Sequence, residues 1–387
     1  MNVLLVSEPG ENGVFRYVDG LARFLIARGI GVHLAYSDRR RCDQLDDLVD
    51  CVRRHGGTTL NLATGNAPAL SDLPALFSLL ALARRLRPDV IHSHSSKAGV
   101  LARLLAMFGI RSRQVYHPHA YSGMRVQSTL QHVVYDTLEQ ALGFCGTTVN
   151  VSPDEEAYAR EFLRLPADRI VRIPNGIDPA VFRPPSALEK AALRRELELP
   201  PGAVILGTLG RAAPQKDPVT LYRAFGRALA SHPGLVLFHL GCGELDAELD
   251  QLAAEPPLAG HVVRRHFLAT PEKFYRAVDG FILTSLYEGL SLAALEALAC
   301  DLPLILSEAP GNHALLELGL SHAYSAPVGD SDAFARQIAR WAAESARRSR
   351  RSNHRVHALE DFDSRHCFHQ VLELYEHAQP SGFRAAI

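Results

Sequence analysis

The segment NVLLVSEPGENGVFRYVDGLARFLIARGIGVHLAYS, residues 2–37, indicates the fold class of this chain. It contains an apolar run (NVLLVS), a short turn with glycine and proline, an amphipathic helical pattern (VFRYVDGLARFLIARG) and a second apolar run (GVHLAYS). Strands that are apolar along their length and alternate with helices are typical of a parallel sheet covered on both faces. The segment therefore predicts the α/β class.

The same alternation recurs along the chain. DVIHSHS, KAGVLARLLAMFG and RQVYHPH form another strand–helix–strand set, and residues 173–202 are rich in proline, glycine and charge, as in a connector. AVILGTLGR then begins a second series, with the strands GLVLFHLGCGE, HVVRRHFL, GFILTS, LPLILSE and SHAYSAP. We therefore predict two doubly wound α/β domains, over residues 1–183 and 200–360. Because ligands bind beyond the carboxyl ends of such strands, two facing domains would place a site in the interdomain cleft.

Length and composition exclude several classes of protein. The 387 residues suit two domains, and 47% hydrophobic with 21% charged residues fits full globular cores. A net charge of −1 argues against nucleic acid as a partner. The apolar run at residues 3–6 is too short for a signal peptide, and no run is long enough to span a bilayer. Six scattered cysteines without CxxC spacing predict neither disulfides nor a zinc site, so we expect a cytoplasmic protein.

Two carboxylates lie eight positions apart in YEGLSLAALEALACDLPLI, residues 287–305. Glu288 follows a predicted strand, and Gly289 permits a tight turn before Ser291, which can cap the next helix. Glu296 lies inside that helix. A solvated glutamate is the ordinary alternative, but the apolar neighbours of Glu296 weigh against it. The amides at the start of this helix would suit a diphosphate without a metal.

Two further motifs are weaker on their own. In GTLGRAAPQKD, residues 207–217, Arg211 and Lys216 follow a strand and can clamp phosphate oxygens, although most such loop cations are simply solvated. In LGCGE, residues 240–244, Gly241 and Gly243 allow close backbone approach to a ligand, or only a tight turn. The first loop, SEPGENG, does not match GxGxxG, which counts against a dinucleotide-binding oxidoreductase.

Taken together, these motifs resemble the retaining glycosyltransferases of family 4. The E-x7-E segment carries the resemblance, with GR…QKD and LGCGE before it. Three first-half segments also resemble that family: DVIHSHSSKAGVLARLLA, VYHPHAYSG and RIPNGIDPAVF. The resemblance implies the GT-B fold, two facing Rossmann-like domains with an interdomain cleft. It also implies that the C-terminal helix, within residues 361–387, packs back on the first domain.

The resemblance assigns roles to residues of the second domain. Arg211 and Lys216 would bind the donor diphosphate and stabilise the charge that develops on it as the sugar leaves. Glu296 would accept hydrogen bonds from the ribose hydroxyls, and Glu288 would lie near the donor sugar. Backbone around the phosphates would come from Gly289, Leu290 and Ser291, with Gly241 and Gly243 as further donor-binding glycines.

In the first domain the resemblance points to Gly13 and His119. The loop of Gly13 would approach the diphosphate, and His119 would lie near the donor sugar, with His117 as second choice. His92 and His94 alternate on a predicted strand; a metal pair is conceivable, but the sequence places no third ligand near them. Lys97 either meets an acceptor phosphate or is solvated.

The resemblance implies metal-independent transfer of a hexose or N-acetylhexosamine with retained configuration. The donor would be a UDP-sugar, favoured over a GDP-sugar, and the acceptor a lipid-linked or surface glycan. Alternatives are a small soluble acceptor and a non-catalytic nucleotide-sugar-binding subunit. No cofactor or metal is expected. Residues 71–88, with Arg103, Arg111 and Arg113, could contact an anionic membrane at the inner face of the cell membrane, or could simply pack as ordinary helices.

Overall fold

The computed structural model describes residues 1–10, 12–39, 42, 44–65, 72–124, 129–345 and 352–377. Internal contacts divide the chain into two units, which we call unit 1 (Met1–Gly176 and Ser364–Ile387) and unit 2 (Ile177–Asp363). Of the expected C-terminal segment 361–387, residues 378–387 lie outside the described residues. Within the described part of the chain, every helix is too short or too polar to cross a membrane.

The strands follow the predicted apolar runs and add three short ones, β3, β6 and β7. They are β1 (Asn2–Ser7), β2 (Gly31–Tyr36), β3 (Thr59–Asn61), β4 (Val90–His94), β5 (Arg113–His117), β6 (Thr147–Asn150), β7 (Ile170–Arg172), β8 (Val204–Leu209), β9 (Leu235–Leu240), β10 (Val262–Arg265), β11 (Gly280–Leu283), β12 (Leu304–Ser307) and β13 (Ala323–Ala326).

Helices connect almost all of these strands. They are α1 (Asn12–Ile26), α2 (Gln44–Arg54), α3 (Asp72–Leu86), α4 (Ser96–Leu104), α5 (Thr129–Leu142), α6 (Pro153–Ala157), α7 (Ala187–Glu196), α8 (Pro218–Leu229), α9 (Asp246–Ala254), α10 (Glu272–Ala277), α11 (Leu292–Ala299), α12 (His313–Leu316), α13 (Ser331–Ser345), α14 (His354–Asp361) and α15 (Ser364–His377). There are also 3₁₀ helices at Leu105–Phe108, Ser122–Met124, Ala167–Arg169 and Pro214–Lys216, and a π-helical turn at Tyr158–Phe162.

Each unit is built on a parallel sheet. Among the described residues, the order is β3-β2-β1-β4-β5-β6-β7 in unit 1 and β10-β9-β8-β11-β12-β13 in unit 2. In each sheet the second and third strands of the unit lie on one side of its first strand, and the later strands lie on the other side. This is the doubly wound arrangement. The predicted class of two Rossmann-like α/β domains is therefore confirmed.

The core of unit 1 shows why these runs form central strands. Val3 and Leu5 of β1 pack into a cluster with α1, α2 and α15, whereas Leu4 and Val6 pack into another with α3 and α4. Successive side chains of a strand point to opposite faces, so a strand covered on both faces must be apolar at every position. The uninterrupted run in NVLLVS is the sequence signal of this central position.

The boundary between the units differs from the predicted one. The segment 177–199, interpreted as the end of the first domain and a connector, belongs to unit 2. Its helix α7 is held there by two ion pairs to Asp279, one from Lys190 and one from Arg194, each 2.6 Å long. Proline and charge in this segment therefore mark a structured first helix of unit 2.

Candidate functional site

The candidate site of unit 2 lies where the strand order of its sheet reverses. β8 and β11 are neighbours in the sheet although β9 and β10 come between them in the chain. At such a point the flanking connections leave in opposite directions and open a crevice at the carboxyl ends of the strands. The loop after β8 carries Arg211 and Lys216, and the loop after β11 carries Glu288. All three are candidate site residues predicted from the sequence.

Lys216 and Glu288 form an ion pair in this crevice. The distance from Lys216 Nζ to Glu288 Oε1 is 2.5 Å, and Ser285 Oγ donates a hydrogen bond of 2.6 Å to the same oxygen. The carboxylate is buried, with 5% of Glu288 exposed. Removal of two charges from water is costly unless they are paired and hydrogen-bonded. The ion pair therefore positions the Lys216 ammonium group at the crevice, where Glu288 neutralises its charge in this structure.

Several hydrogen bonds join the two loops. The Leu286 amide donates to the Gln215 carbonyl oxygen at 2.8 Å, and the Gln215 side-chain amide donates to the Tyr287 carbonyl oxygen at 3.2 Å. Thr284 Oγ1 donates to the carbonyl oxygen of Lys216 at 3.0 Å. The positions of Lys216 and Glu288 are thus fixed by the backbone as well as by their own side chains.

A glycine from a third loop supports Glu288. The Glu288 amide donates to the Pro310 carbonyl oxygen at 2.9 Å. The next residue, Gly311, has a φ of +86°, and a Cβ atom there would lie only 2.6 Å from the Gly289 carbonyl oxygen. Only glycine combines this backbone conformation with so close an approach. The loop after β12 therefore shapes the turn that carries Glu288.

The helix α11 begins as the sequence predicts. Ser291 is its N-cap, and Ser291 Oγ accepts a hydrogen bond of 3.4 Å from the Ala294 amide. Gly289 and Leu290 are buried in the turn before it. Amides at a helix start carry a partial positive charge and favour anions. The segment 289–291 is thus placed to offer backbone amides beside the ion pair.

Glu296 lies in the second turn of α11 and is only 1% exposed. The alternative of a solvated surface glutamate is therefore wrong. Its charge also acts on Cys300, one turn later, because burial and then Glu296 raise the pKa of that thiol to about 12. An acidic side chain in an otherwise apolar helix needs compensating polar groups.

Arg211 and Lys216 line the same small pocket. Its wall also includes Gly210, Thr284 and His239. Arg211 is exposed, so its guanidinium is accessible to an anionic ligand. His239 was not singled out by the sequence. Burial, together with the charge of Arg264, lowers the pKa of His239 to about 4, so its ring is neutral at pH 7.

Gly241 and Gly243 bring two loops of the protein together. A Cβ atom on Gly241 would lie 1.9 Å from the Gly210 carbonyl oxygen, and one on Gly243 would lie 2.6 Å from that of Ala212. These carbonyls flank Arg211. The glycines therefore have a packing role whether or not they also approach a ligand, and the two interpretations of LGCGE are not exclusive.

In unit 1, Gly13 and His119 lie at the carboxyl ends of strands. Gly13 is the second residue of α1, in its first turn and not in a loop as expected. His119 follows β5 and is half-buried, whereas His117, the second choice, is fully buried at the strand end. Of the two histidines, His119 is therefore the one with a partly exposed surface.

The backbone at His119 is unusual. His119 has a φ of 53° and Ala120 a φ of 92°, conformations that residues other than glycine rarely adopt. The buried carboxylate of Glu155 accepts hydrogen bonds from the Ala120 amide and, at 2.8 Å, from the Val151 amide. Glu155 thus holds the turn that presents His119.

Comparison with known proteins identifies the family. Residues 11–181 match the family described as Glycosyltransferase Family 4, and residues 189–355 match Glycosyl transferases group 1. A galactosyltransferase of Escherichia coli, UDP-Gal:alpha-D-GlcNAc-diphosphoundecaprenol alpha-1,3-galactosyltransferase, is 30% identical over 278 residues, which cover 70% of each chain. The chain belongs to glycosyltransferase family 4. The family named on the basis of the sequence motifs is therefore confirmed, as is the assignment as an enzyme.

A further relative of this glycosyltransferase and a solved structure with a similar fold extend the comparison. The D-inositol 3-phosphate glycosyltransferase of Thermobispora bispora is 30% identical over 353 residues, 82% of this chain and 79% of that one. Anabaena HepE, solved in complex with UDP and glucose, superposes with a TM-score of 0.81 at 20% identity and covers 97% of this chain and 100% of its own. The second likeness shows the shared fold.

Some expected surface charges of the glycosyltransferase are internal. Arg103 is buried, and its Nη2 atom lies 2.7 Å from Glu139 Oε2. Arg113 donates a hydrogen bond of 2.6 Å to the Tyr375 carbonyl oxygen. Arg103 therefore does not belong to a basic surface, whereas Arg113 is half-buried and Arg111 is exposed.

Lys97 also differs from the expectation of a solvated side chain. It forms an ion pair of 3.0 Å with Asp72 Oδ2, and its side chain is 8% exposed. The pairing fixes the start of α4 against that of α3. A contact with an acceptor phosphate would require Lys97 to exchange or share this partner.

Proposed function

We propose that this glycosyltransferase transfers a hexose or N-acetylhexosamine from a UDP-sugar to a lipid-linked glycan acceptor, with retention of anomeric configuration and without a divalent metal. The observation that carries the proposal is the Lys216–Glu288 ion pair at the point where the strand order of unit 2 reverses, beside Arg211 and the start of α11.

Arg211 and Lys216 would stabilise the leaving group of the reaction. A departing nucleoside diphosphate gains negative charge in the transition state, and fixed positive groups aimed at it lower the barrier. Arg211 offers a planar fork of donors to phosphate oxygens, and Lys216 offers a point charge. On donor binding, Lys216 would exchange or share its carboxylate partner with the diphosphate. The two cations and the amides of residues 289–291 would supply the stabilisation that a metal supplies elsewhere.

The two carboxylates would bind the other two parts of the donor, its ribose and its transferred sugar. Glu296 would accept hydrogen bonds from the ribose hydroxyls, and Glu288 would contact the sugar, as the family resemblance implies. For Gly13 and His119 of unit 1, the family resemblance also implies donor-binding roles. The departing phosphate oxygen would take the proton of the acceptor hydroxyl, so retention needs no side-chain base.

Relatives support the choice of donor and acceptor. The Escherichia coli relative is named for UDP-Gal and a diphosphoundecaprenol acceptor, and HepE was solved with UDP. The inositol phosphate relative supports a second candidate, a small soluble acceptor. We favour the lipid-linked acceptor, because the outward face of α3 exposes Leu73 and Phe77 together with Arg84 and Arg85, a combination suited to an anionic membrane. Such contact would place the enzyme at the cytoplasmic face.

The donor assignment is tested by calorimetric titration with UDP and with GDP in buffer containing EDTA. We expect UDP to bind without metal and more tightly than GDP. Glu296→Gln and Lys216→Ala should each weaken UDP binding about 10-fold or more, as expected for loss of a charge-assisted hydrogen bond. The matched control is Lys273→Ala, which removes a surface ion pair with Glu196 in the same unit.

Other outcomes would overturn parts of the proposal. If UDP bound only with Mg²⁺, the metal-independent assignment would fail. If neither nucleotide bound under either condition, the donor site would be wrong and a non-catalytic role would take its place. Incubation with a UDP-sugar panel and either diphospholipid-linked or soluble acceptors then separates the two acceptor classes, and the anomeric configuration of the product, read by NMR, tests retention.

A further inference from the structure

We propose that His92, His94 and His117 form a zinc site within unit 1. The sequence alone places no third ligand near His92 and His94, whereas in the structure His117 lies beside them. One ring nitrogen from each of the three histidines lies within 4.8 Å of those of the other two, and all three residues are fully buried.

The sheet explains why these histidines meet. His92 and His94 are two positions apart on β4, so their side chains point to the same face. β5 runs parallel beside β4, and the register pairs His94 with His117. The third histidine therefore falls on the same face, at the end of the neighbouring strand. A spacing of two in one strand with a single histidine in the next is the sequence signal for the cluster.

The hydrogen bonds leave ring nitrogens available. His92 Nδ1 lies 2.6 Å from the Tyr375 hydroxyl, and His94 Nδ1 lies 3.2 Å from His119 Nε2. The Nε2 atoms of His92 and His94, and both ring nitrogens of His117, are buried without a hydrogen-bond partner among the described residues. A buried polar atom left without a partner costs about 1–3 kcal/mol. Three buried rings with such atoms therefore lower the stability of the fold unless a ligand binds to them.

A zinc ion would satisfy all three rings at once. Imidazole nitrogens are common zinc ligands, and a histidine that binds metal through one nitrogen usually donates a hydrogen bond from the other. Tyr375 and His119 are positioned to accept such bonds from His92 and His94. Zn–N bonds of about 2.0–2.1 Å require nitrogens roughly 3.3 Å apart in a tetrahedral site, so the rings must close by about 1.5 Å at most.

The remaining ligand position has a candidate nearby. The Tyr17 ring centroid lies 4.8 Å from that of His117, and its hydroxyl is buried without a hydrogen-bond partner among the described residues. Either the Tyr17 oxygen or a water would complete four-coordination.

Such a zinc would have a structural role within unit 1. It would tie the ends of β4 and β5 together beneath His119, whose ring stacks on that of His117 with centroids 3.9 Å apart. Because the ligands are fully buried, the ion would enter during folding and would exchange slowly. Metal-independent transfer and a bound structural zinc are therefore compatible.

The test uses the full chain without a histidine tag, expressed with zinc in the medium or refolded with equimolar zinc. Metal analysis after dialysis should give about one zinc per chain. His94→Gln and His117→Gln should each lower this to below about 0.1, since loss of one of three ligands removes most of the affinity. His239→Gln, which alters a buried histidine of unit 2, is the matched control and should keep the zinc.

Two further measurements guard against variants that fail to fold. His117→Cys replaces one zinc ligand by another and should retain metal; refolded with Co²⁺ it should show a thiolate-to-cobalt charge-transfer band that wild type lacks. Wild type refolded with zinc should also unfold at a higher temperature than wild type refolded with EDTA. Two results together would overturn the proposal: wild type that holds less than about 0.1 zinc per chain under every condition, and the same unfolding temperature after refolding with zinc and with EDTA. The three histidines would then surround an empty space or water molecules.

Discussion

The Lys216 ammonium group can pair with Glu288 or with a phosphate of the donor, and the competition between these two partners can be measured. In the structure its ammonium group is paired with Glu288 at 2.5 Å. A diphosphate at the same place would compete for that ammonium and would be repelled by the carboxylate. The ion pair therefore costs some nucleotide affinity, whereas the carboxylate contributes to transfer through the sugar.

Glu288→Gln should separate these two effects. We expect UDP to bind up to about 5-fold more tightly, because the ion pair of the half-buried Lys216 contributes up to about 1 kcal/mol and its loss leaves this ammonium group available to phosphate. The rate of sugar transfer should fall about 100-fold or more, because the contact to the sugar is lost in the transition state. Calorimetry with UDP and initial rates with the UDP-sugar measure the two quantities.

Glu308→Gln is the matched control, because Glu308 is an exposed glutamate of unit 2 whose side chain accepts a hydrogen bond from Ser325 Oγ. It should change neither quantity. Weaker UDP binding by Glu288→Gln would contradict the competition. Unchanged transfer would remove Glu288 from the sugar-binding role.

The sequence motifs selected the residues that the structure brings together here, but they did not show how these residues are held. Glu288, Lys216 and Arg211 stand out because charged residues follow apolar strands. That Lys216 pairs with Glu288, 72 positions later, depends on which strands become neighbours in the sheet. Gly311 could not be selected for the same reason, since its need for glycine arises from the Glu288 turn packed against it. The third histidine likewise required the register of β4 and β5.

At the scale of elements, a helix start controls the turn that presents His119. Ser152 caps α6, and Glu155, in its first turn, reaches back to the Ala120 amide. Burial raises the pKa of Glu155 to about 7 from an ordinary value of 4.5, although its two backbone hydrogen bonds act in the opposite direction. The native protein therefore keeps this proton to a higher pH than the unfolded chain does.

The stability of the protein should depend on pH through Glu155. Below pH 4.5 the carboxyl is protonated in both states. Between pH 4.5 and about 7 only the native state holds the proton, so the free energy of unfolding falls as pH rises, by at most about 3 kcal/mol. Glu155→Gln, which stays neutral, should lack this loss. Thermal unfolding of both proteins at pH 5 and pH 8 measures the difference, because the other groups titrate alike in the two.

Glu156→Gln tests whether the effect is specific to the buried carboxyl. Glu156 forms an i,i+4 ion pair with Arg160 near the surface and should leave the pH dependence of wild type in place. Parallel pH profiles for wild type and Glu155→Gln would show that Glu155 is ionised in the native state throughout this range.

At the scale of the whole molecule, unit 1 is assembled from both ends of the chain. α15 contributes Cys367, Phe368, Val371 and Tyr375 to the cluster that also contains Val3 and Leu5 of β1. The resemblance to family 4 implied that the C-terminal helix packs on the first domain. The amphipathic pattern of α15 by itself predicts only that its apolar face packs against some other part of the protein. Contacts between the first and last segments of a chain carry no local signal, so the sequence pattern alone could not assign α15 to either unit.

Phe368→Ala should therefore destabilise unit 1 while leaving the fold of unit 2 intact. The Phe368 ring packs edge-on against Tyr17, with centroids 5.4 Å apart, and its loss leaves a cavity between α15 and α1. Truncation of a buried phenylalanine costs about 3–5 kcal/mol. Hydrogen exchange should show faster exchange in β1 and β4 and unchanged exchange in β8 and β11. Val356→Ala, at an exposed position of α14, is the control and should change little. Equal loss of protection in both units would mean that they unfold as one cooperative body, and loss confined to α15 would mean that the rest of unit 1 is stable without it.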